Sequence, residues 1–301
     1  MMKVLVCGAK GFIGRNISRA LELAGHEVIA GVSPKHADAL PNSVVVDYAQ
    51  DTTPQAWLPR LEHIDAVVNA VGVLRTSRAR PIEAVHQHTP IALWNACAQA
   101  NVKKVIQISA LGTETSDTLY ASTKRAADHH LMTLADAGKI SYTIMRPSVV
   151  FGKGGASSAL FMNLAKLPFL ILPKPVLRAR VQPVSVLNLA EAVTALLGPS
   201  FVQQGIISCT GAEPVLMSDF IASLRQQCGQ HPARILPLPD SLSKLSARLG
   251  DLVPGVPWCT ETMTMLATNN EDSCADFETL IGHSPVHYSE LVEKAWNTQS
   301  A

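Results

Sequence analysis

The stretch Lys3-Val4-Leu5-Val6-Cys7-Gly8-Ala9-Lys10-Gly11-Phe12-Ile13-Gly14 decides the fold. Its first five residues are the short apolar run of a buried strand, and a helical pattern begins directly after the glycines. The glycines allow a tight turn, a close approach of the backbone to a phosphate, and close contact between helix and strand. The N-terminus of the helix adds unpaired N–H groups and a partial positive charge. We therefore predict a strand–turn–helix unit that holds a pyrophosphate group at residues 8–14.

Apolar runs alternate with helical patterns through the first half of the chain. The predicted strands are Lys3–Cys7, Glu27–Val32, Ser43–Val46, Asp65–Ala70, Lys104–Ser109 and Ser141–Arg146. The predicted helices between them are Phe12–Ala24, Ile82–Ala100 and Tyr120–Ala137. Nearly continuous Val and Ile in the strands is typical of a sheet covered on both faces. The alternation predicts an α/β fold with a doubly wound parallel sheet.

Proline and glycine become frequent after Arg146, which indicates a change of architecture. Further helices are predicted at Leu187–Leu197, Ser218–Cys228, Ser241–Leu249 and Ser289–Asn297. We expect residues 1–152 to form the dinucleotide-binding domain and residues 181–210 to complete its sheet. Residues 153–180 and 211–301 are expected to form a smaller lobe on the substrate side.

The end of the second predicted strand bears on the choice of dinucleotide. NAD is normally held there by an Asp or Glu that binds the ribose 2′-hydroxyl. This strand ends instead in Ser33-Pro34-Lys35-His36. Ser33 is suited to hydrogen-bond a 2′-phosphate, and Lys35, Lys10 or Arg15 to supply positive charge. The pattern favours NADP over NAD. If the dinucleotide is NAD, Lys35 is only a solvated charge on the loop.

Tyr120-Ala121-Ser122-Thr123-Lys124 is the candidate catalytic segment. On a helix, Tyr120 and Lys124 share one face, and an ammonium near a phenol favours the phenolate and lowers its pKa from about 10. A tyrosine in that state serves as proton donor or acceptor for a carbonyl or carbinol oxygen during hydride transfer. The segment follows the strand that ends in Ser109, and the carboxyl end of a parallel strand faces the cofactor crevice.

With these motifs in place, the chain resembles the extended or atypical branch of the short-chain dehydrogenase/reductase superfamily, which has a Rossmann fold. The resemblance implies a catalytic set of Ser109, Tyr120 and Lys124. It also implies cofactor contacts from Asp47, Tyr48, Ala70, Val71, Gly72, Pro147 and Val149, besides the glycine turn and its flanks. Gln182–Ala190 is similar to a strand–helix junction of nucleoside-diphosphate-sugar epimerases. Ser109–Gly112 is similar to relatives of the NAD(P)-binding accessory subunit of respiratory complex I.

Three positions differ from the pattern of the extended enzymes. Ala110 stands where a second serine is usual, so the hydroxyl falls to Ser109 or, with another loop path, to Thr113. His88 lies near the place of an asparagine, and Asn188 replaces an aspartate. Three functions therefore stay open: an NADP(H)-dependent oxidoreductase, a non-catalytic NAD(P)-binding sensor or assembly protein, and a nucleoside-diphosphate-sugar epimerase or dehydratase.

The apolar stretch 160–173 allows two interpretations of the substrate side. It packs as core, or it forms a wall for a hydrophobic carbonyl compound. A sugar nucleotide would instead need cations for its diphosphate, and Arg178 and Arg180 are candidates for that role.

Composition excludes several classes of protein. A net charge of +1 disfavours nucleic-acid binding. The six cysteines and ten histidines show no metal-ligand spacing, so we expect no metal and a reducing compartment. No signal peptide or transmembrane segment is expected, which indicates a cytoplasmic protein with a small-molecule substrate. A peripheral membrane or respiratory-complex partner stays open.

Overall fold

The computed structural model describes residues 1–37, 42–102, 104–198, 204–252, 259–260, 263–264 and 269–298. The chain divides into two compact units. The first unit comprises Met1–Arg146 and Leu189–Ile207, and the second comprises Pro147–Asn188 and Ser208–Ala301.

The described strands are numbered in chain order. They are β1 (Lys3–Cys7), β2 (Glu27–Val32), β3 (Ser43–Val45), β4 (Ala66–Asn69), β5 (Lys104–Ile108), β6 (Ser141–Pro147), β7 (Val150–Phe151), β8 (Phe169–Pro173), β9 (Arg180–Val181), β10 (Val184–Ser185), β11 (Gly205–Cys209), β12 (Val215–Leu216) and β13 (Arg234–Leu238).

The described α-helices are numbered in the same way. They are α1 (Phe12–Leu23), α2 (Pro54–Trp57), α3 (Thr89–Gln99), α4 (Leu119–Asp136), α5 (Ala156–Lys166), α6 (Lys174–Arg178), α7 (Val186–Leu196), α8 (Met217–Gln227), α9 (Asp240–Asp251) and α10 (Ala275–Ile281). Shorter 3₁₀ turns cover Pro34–His36, Leu58–Leu61 and Tyr288–Glu290, and π-helical turns cover Ala84–His88 and Val292–Asn297.

The central sheet has seven strands in the order β11-β6-β5-β4-β1-β2-β3. Every pairing from β3 across to β6 is parallel. The order reverses direction between β1 and β4, which is the switch point where doubly wound sheets bind ligands. The predicted fold class is therefore confirmed. The predicted strands also agree with β1 to β6 to within one residue at each end.

Each unit has a buried apolar core among the described residues. The core of the first unit includes fully buried Trp57 and Trp94, together with Leu5 of β1. The core of the second unit gathers Phe151, Phe161 and Phe220, with ring centroids of 5.5 and 5.9 Å for the pairs that Phe220 forms. Aromatic rings at such separations meet edge to face and dominate the buried area of a small core.

The sequence analysis missed several elements of the second unit, including α5, β8 and α10. The apolar stretch 160–173 contains the end of α5 and all of β8, divided at Pro168. A continuous apolar run hides this division, because a helix period and a strand period cannot be separated within so few residues. Part of the stretch is core, as predicted, while Phe169 and Ile171 are exposed. Within the part of the chain that the structure describes, no helix is both long and apolar enough to cross a bilayer.

Candidate cofactor site and active site

The turn between β1 and α1 has the geometry expected of a phosphate-binding turn. Gly8 adopts a φ of 81°, in the left-handed region that favours glycine. A Cβ atom on Gly14 would lie 2.2 Å from the carbonyl oxygen of Gly8, so only glycine fits there. Gly11 donates its N–H to the same oxygen at 2.7 Å. Phe12 and Ile13 begin the helix, where backbone N–H groups have no intrahelical acceptor. The turn therefore fits a pyrophosphate.

A cavity of about 570 Å³ opens beside this turn, entirely within the first unit. It is lined by ten of the predicted cofactor-binding residues: Gly8, Lys10, Gly11, Ser33, Lys35, Asp47, Tyr48, Ala70, Val71 and Gly72. It is also lined by residues that the sequence analysis did not select: Gly31, Val32, Pro34, His36, Val46, Ala49, Ala79, Arg80 and Val85. The cavity thus joins the carboxyl ends of β1, β2 and β4.

The segment after β2 adds a lysine and a histidine to the lining of the cavity. Lys35 and His36 lie on the 3₁₀ turn after β2, and the ring Nδ1 of His36 is 3.0 Å from Oγ of Ser33. Among the described residues that line the cavity, Asp47 is the one acidic side chain. Its Oδ1 accepts a hydrogen bond of 3.0 Å from the N–H of Ala49. His36 could have been selected from the sequence, because it stands beside Lys35 in the same four-residue segment.

A buried amide network fixes the loop after β4. Asn69 is fully buried, and its Oδ1 accepts from the Tyr48 hydroxyl at 2.8 Å and from the Val71 N–H at 3.2 Å. Its Nδ2 donates to Oε1 of Gln107 at 2.8 Å. The hydroxyl of Tyr48 is therefore engaged with the core, while another part of the residue lines the cavity. The network holds Ala70, Val71 and Gly72 against the cavity.

Other predicted cofactor residues lie outside the cavity lining. Arg15 projects from α1, where its guanidinium carbon lies 5.8 Å from the ring centroid of Phe12. Pro147 is the last residue of β6, and Val149 packs against the core of the second unit. Their predicted contacts with the cofactor stay predictions.

Tyr120 and Lys124 lie one turn apart on α4, as predicted. The ammonium of Lys124 is 5.6 Å from the ring centroid of Tyr120 and donates to the carbonyl oxygen of Ile108 at 3.2 Å. Lys124 is 4% exposed. Burial lowers the pKa of its ammonium to about 8, and the negative charge of Asp128 opposes that change. A lysine with a pKa in this range can hold or release a proton near neutral pH, as an acid or base in hydride-transfer chemistry must.

His86 is a neighbour of this pair that the sequence analysis missed. Its ring meets the Tyr120 ring edge to face at 5.1 Å. Its Nε2 accepts the N–H of Val73 at 3.0 Å, and its Nδ1 is 3.4 Å from Oγ1 of Thr123. Burial lowers the pKa of His86 to about 2, with further lowering by Lys124 and Arg80, so the ring stays neutral. The sequence carried no signal for it, because His86 lies within the π-helical turn Ala84–His88, which does not follow the α-helical period.

Ser109 lies at the end of β5 but faces a carboxylate. Its hydroxyl donates to Oδ2 of Asp128 at 2.6 Å. Burial raises the pKa of Asp128, while this hydrogen bond and the charges of Lys124 and Arg146 lower it. Arg146 lies 3.6 Å from the same oxygen and also pairs with Glu114. In this arrangement the Ser109 hydroxyl is not available as a donor to a substrate oxygen.

The positions that differ from the family pattern have identifiable surroundings. Thr113, the alternative hydroxyl, is buried and donates to the carbonyl oxygen of Ala110 at 3.1 Å. His88 is exposed, so His86 is the histidine beside Tyr120. Asn188 accepts the N–H of Val286 at 2.9 Å within the second unit. No group of three or more potential metal ligands occurs among the described residues.

The fold and the glycine turn define a dinucleotide-binding protein, and comparison with known families makes the class specific. Residues 4–197 match the model of the NAD dependent epimerase/dehydratase family. The chain belongs to this family, which confirms the resemblance to extended short-chain dehydrogenases/reductases.

The relatives include reductases and epimerases. A ceramide reductase from Caulobacter vibrioides is 24% identical over 79% of this chain and 74% of the relative. A UDP-glucose 4-epimerase from Vibrio cholerae is 21% identical over 82% of this chain and 81% of the relative. The crystal structure of UDP-N-acetylglucosamine 4-epimerase from Bacillus cereus superposes with a TM-score of 0.73, at 16% identity and 98% coverage of both chains. This structural likeness shows the shared fold.

Proposed function

We propose that the protein is an NADP(H)-dependent oxidoreductase that acts on a carbonyl or hydroxyl group of an apolar substrate. The observation that carries the proposal is the pair formed by Tyr120 and the buried ammonium of Lys124. The relative described as a ceramide reductase supports reductase chemistry on a lipid-like compound.

The end of β2 supports NADP over NAD. A ribose 2′-hydroxyl would find no carboxylate on the turn Ser33–His36, whereas a 2′-phosphate would meet Lys35, His36 and the hydroxyl of Ser33. Charge-assisted hydrogen bonds of this kind are about twice as strong as neutral ones. Lys10, on the same cavity, adds a further cation for the phosphates. These contacts favour the more highly charged dinucleotide.

The proposed mechanism assigns the proton to Tyr120. A bound nicotinamide supplies or accepts the hydride. In the direction of reduction, the Tyr120 hydroxyl donates a hydrogen bond to the substrate oxygen and gives up its proton as the alcohol forms. Lys124 stabilises the resulting phenolate with its positive charge. We assign the donor role to Tyr120 because the Ser109 hydrogen is directed to Asp128. Ser109 then positions α4 through that hydrogen bond.

His86 is proposed as a positioning residue for Tyr120. Its edge-to-face contact restricts the phenol ring, and its hydrogen bond from Val73 fixes the imidazole in turn. A neutral imidazole also avoids a second positive charge beside Lys124. The ring is thereby held without being a proton donor to the substrate.

Titration and turnover measurements test the proposal together. We expect calorimetry to give NADP⁺ an affinity at least about tenfold higher than NAD⁺. We also expect NADPH consumption with a panel of long-chain ketones and aldehydes. Tyr120→Phe should lower kcat by roughly 10² to 10⁴ without changing cofactor affinity. Tyr142→Phe, on β6, is the matched control and should leave both unchanged.

The alternative functions give different results in the same measurements. Tight cofactor binding with no turnover on carbonyl compounds or sugar nucleotides would favour the non-catalytic sensor. Turnover of UDP-sugars alone would favour the epimerase. Unchanged kcat in Tyr120→Phe would remove the assigned proton donor.

A further inference from the structure

The second unit carries an exposed apolar face on a two-stranded sheet. Strands β8 and β13 pair in parallel, with Arg234 opposite Phe169 and Leu236 opposite Ile171. Paired residues of neighbouring strands point to the same face of a sheet. Phe169, Ile171 and Leu236 are 53% to 63% exposed, while Leu170 and Leu172 between them are buried. The outward face of this sheet is thus apolar and bears one cation.

Helix α9 follows β13 directly and also exposes large apolar side chains. The residues that it buries are small: Ser243, Ala247 and Gly250. The residues that it exposes at helical spacing are large and apolar: Leu242, Leu245, Leu249 and Leu252, the last just beyond its end, with exposures of 50% to 78%. Amphipathic helices of globular proteins normally bury the apolar stripe. Here the stripe faces away from the described residues.

The segments that carry these exposed apolar side chains are also rich in exposed cations. Segments 166–178 and 234–252 hold six exposed cations and two exposed anions. The cations are Lys166, Lys174, Arg178, Arg234, Lys244 and Arg248, and the anions are Asp240 and Asp251. None of the six cations forms an ion pair with a described residue. Cations that have no ion-pair partner among the described residues, on segments with exposed apolar side chains, complement a surface with anionic groups above an apolar layer.

We propose that this apolar face, formed by Phe169, Ile171, Leu236 and the leucines of α9, docks on the surface of an anionic phospholipid bilayer. A helix with an apolar stripe and flanking Lys or Arg lies in the headgroup region and inserts its apolar side chains partway into the acyl layer. Lys244 and Arg248, on α9 itself, then lie near lipid phosphates. A protein partner would be expected to offer acidic side chains instead. A phospholipid bilayer offers phosphate groups to the cations and an acyl layer to the apolar side chains.

Sedimentation with vesicles tests the proposal on the full chain. We expect binding to vesicles of equal parts phosphatidylglycerol and phosphatidylcholine, and at least about tenfold weaker binding to phosphatidylcholine alone. The triple variant Leu242→Gln/Leu245→Gln/Leu249→Gln should bind the anionic vesicles at least about tenfold more weakly. Lys244→Glu/Arg248→Glu should lose the preference for phosphatidylglycerol. Leu23→Gln, at a leucine on α1 that is 80% exposed, is the matched control and should bind like the wild type.

Because the substituted leucines are exposed, the variants should fold, which unchanged affinity for NADP⁺ and an unchanged Tm would verify. The proposal is overturned if the wild type does not bind anionic vesicles or binds neutral vesicles equally well. It is also overturned if the triple variant binds as the wild type does. Light scattering that shows a dimer for the wild type and a monomer for the triple variant, without vesicle binding, would identify the face as an interface between copies.

Discussion

The glycine turn and the start of α4 both serve the same proposed reaction, but the turn contributes backbone groups and α4 contributes side chains. At the turn the backbone provides the binding groups. A side chain is excluded at Gly14, because a Cβ atom there would lie 2.2 Å from the carbonyl oxygen of Gly8. At α4 the groups are side chains, and their properties depend on burial, as the pKa of Lys124 shows. A backbone site is therefore defined by local sequence, whereas a side-chain site is defined by what packs around it.

The largest effect is expected from filling the backbone site. Gly14→Ala places a methyl group against the Gly8 carbonyl and should lower NADP⁺ affinity about 1,000-fold, or roughly 4 kcal/mol. Calorimetry measures the loss. Gly25→Ala is the control, because Gly25 also has a positive φ of 83° but has nothing within 4 Å of a Cβ atom. It should cost stability and keep affinity. Equal affinities in the two variants would contradict the assignment of the turn.

The second largest effect is expected from removing the buried ammonium of Lys124. The pKa of Lys124 is about 8 in the folded chain, against 10.5 for an ordinary lysine in water, because burial disfavours the ammonium. Between these values the unfolded state binds more protons, so this group makes the free energy of unfolding rise with pH, by roughly 3 kcal/mol in all. Lys124→Met should abolish that rise. Urea unfolding near pH 8 and near pH 10 measures it.

Lys139→Met is the control for this comparison, since Lys139 is exposed. Its free energy of unfolding should keep the rise with pH. Identical pH dependence in both lysine variants would show that Lys124 is charged in the folded chain over the whole range.

A smaller effect is expected at His86. His86→Phe leaves the partly buried N–H of Val73 without its acceptor and should lower the free energy of unfolding by about 2 kcal/mol. His86→Gln places an oxygen near the former Nε2 and should restore part of that loss. Chemical denaturation of both variants measures the difference. If phenylalanine were tolerated as well as glutamine, the hydrogen bond would not be holding the loop.

The smallest effect is expected at an exposed charge. Lys35→Glu should weaken NADP⁺ binding about tenfold, or roughly 1.4 kcal/mol, while NAD⁺ affinity changes little. The effect is modest because Lys35 is exposed and solvent screens its charge. Lys139→Glu makes the same charge change elsewhere in the first unit and should leave the ratio of affinities unaltered. A ratio that moves equally in both variants would contradict recognition of a 2′-phosphate by Lys35.

Most of the first unit could be predicted, and much of the second could not. Strands β1 to β6 are continuous apolar runs separated by helices, so their bounds were found to within one residue. In the second unit, Pro168 divides a single apolar run into a helix end and a strand, and nothing local separates the two. Local pattern fails wherever adjoining elements share one composition.

The candidate site divides in the same way. The glycine turn, Lys35, Tyr120 and Lys124 were selected because their spacing along the chain is itself the signal. Asp128 opposite Ser109, and His86 rather than His88 beside Tyr120, were not selected. The first contact depends on which side of α4 faces inward, and the second depends on the π-helical turn Ala84–His88.

The sequence by itself determined the positions of β1 to β6, the turn that fits a pyrophosphate, and the absence of a carboxylate after β2. Tertiary structure alone decided that Lys124 is buried, that Ser109 faces Asp128, and that the leucines of α9 are exposed. The physical reason is the separation along the chain of the residues that interact. Strand periodicity and glycine conformation act between neighbours along the chain, whereas burial, and with it pKa and exposure, is set by residues that are distant in sequence.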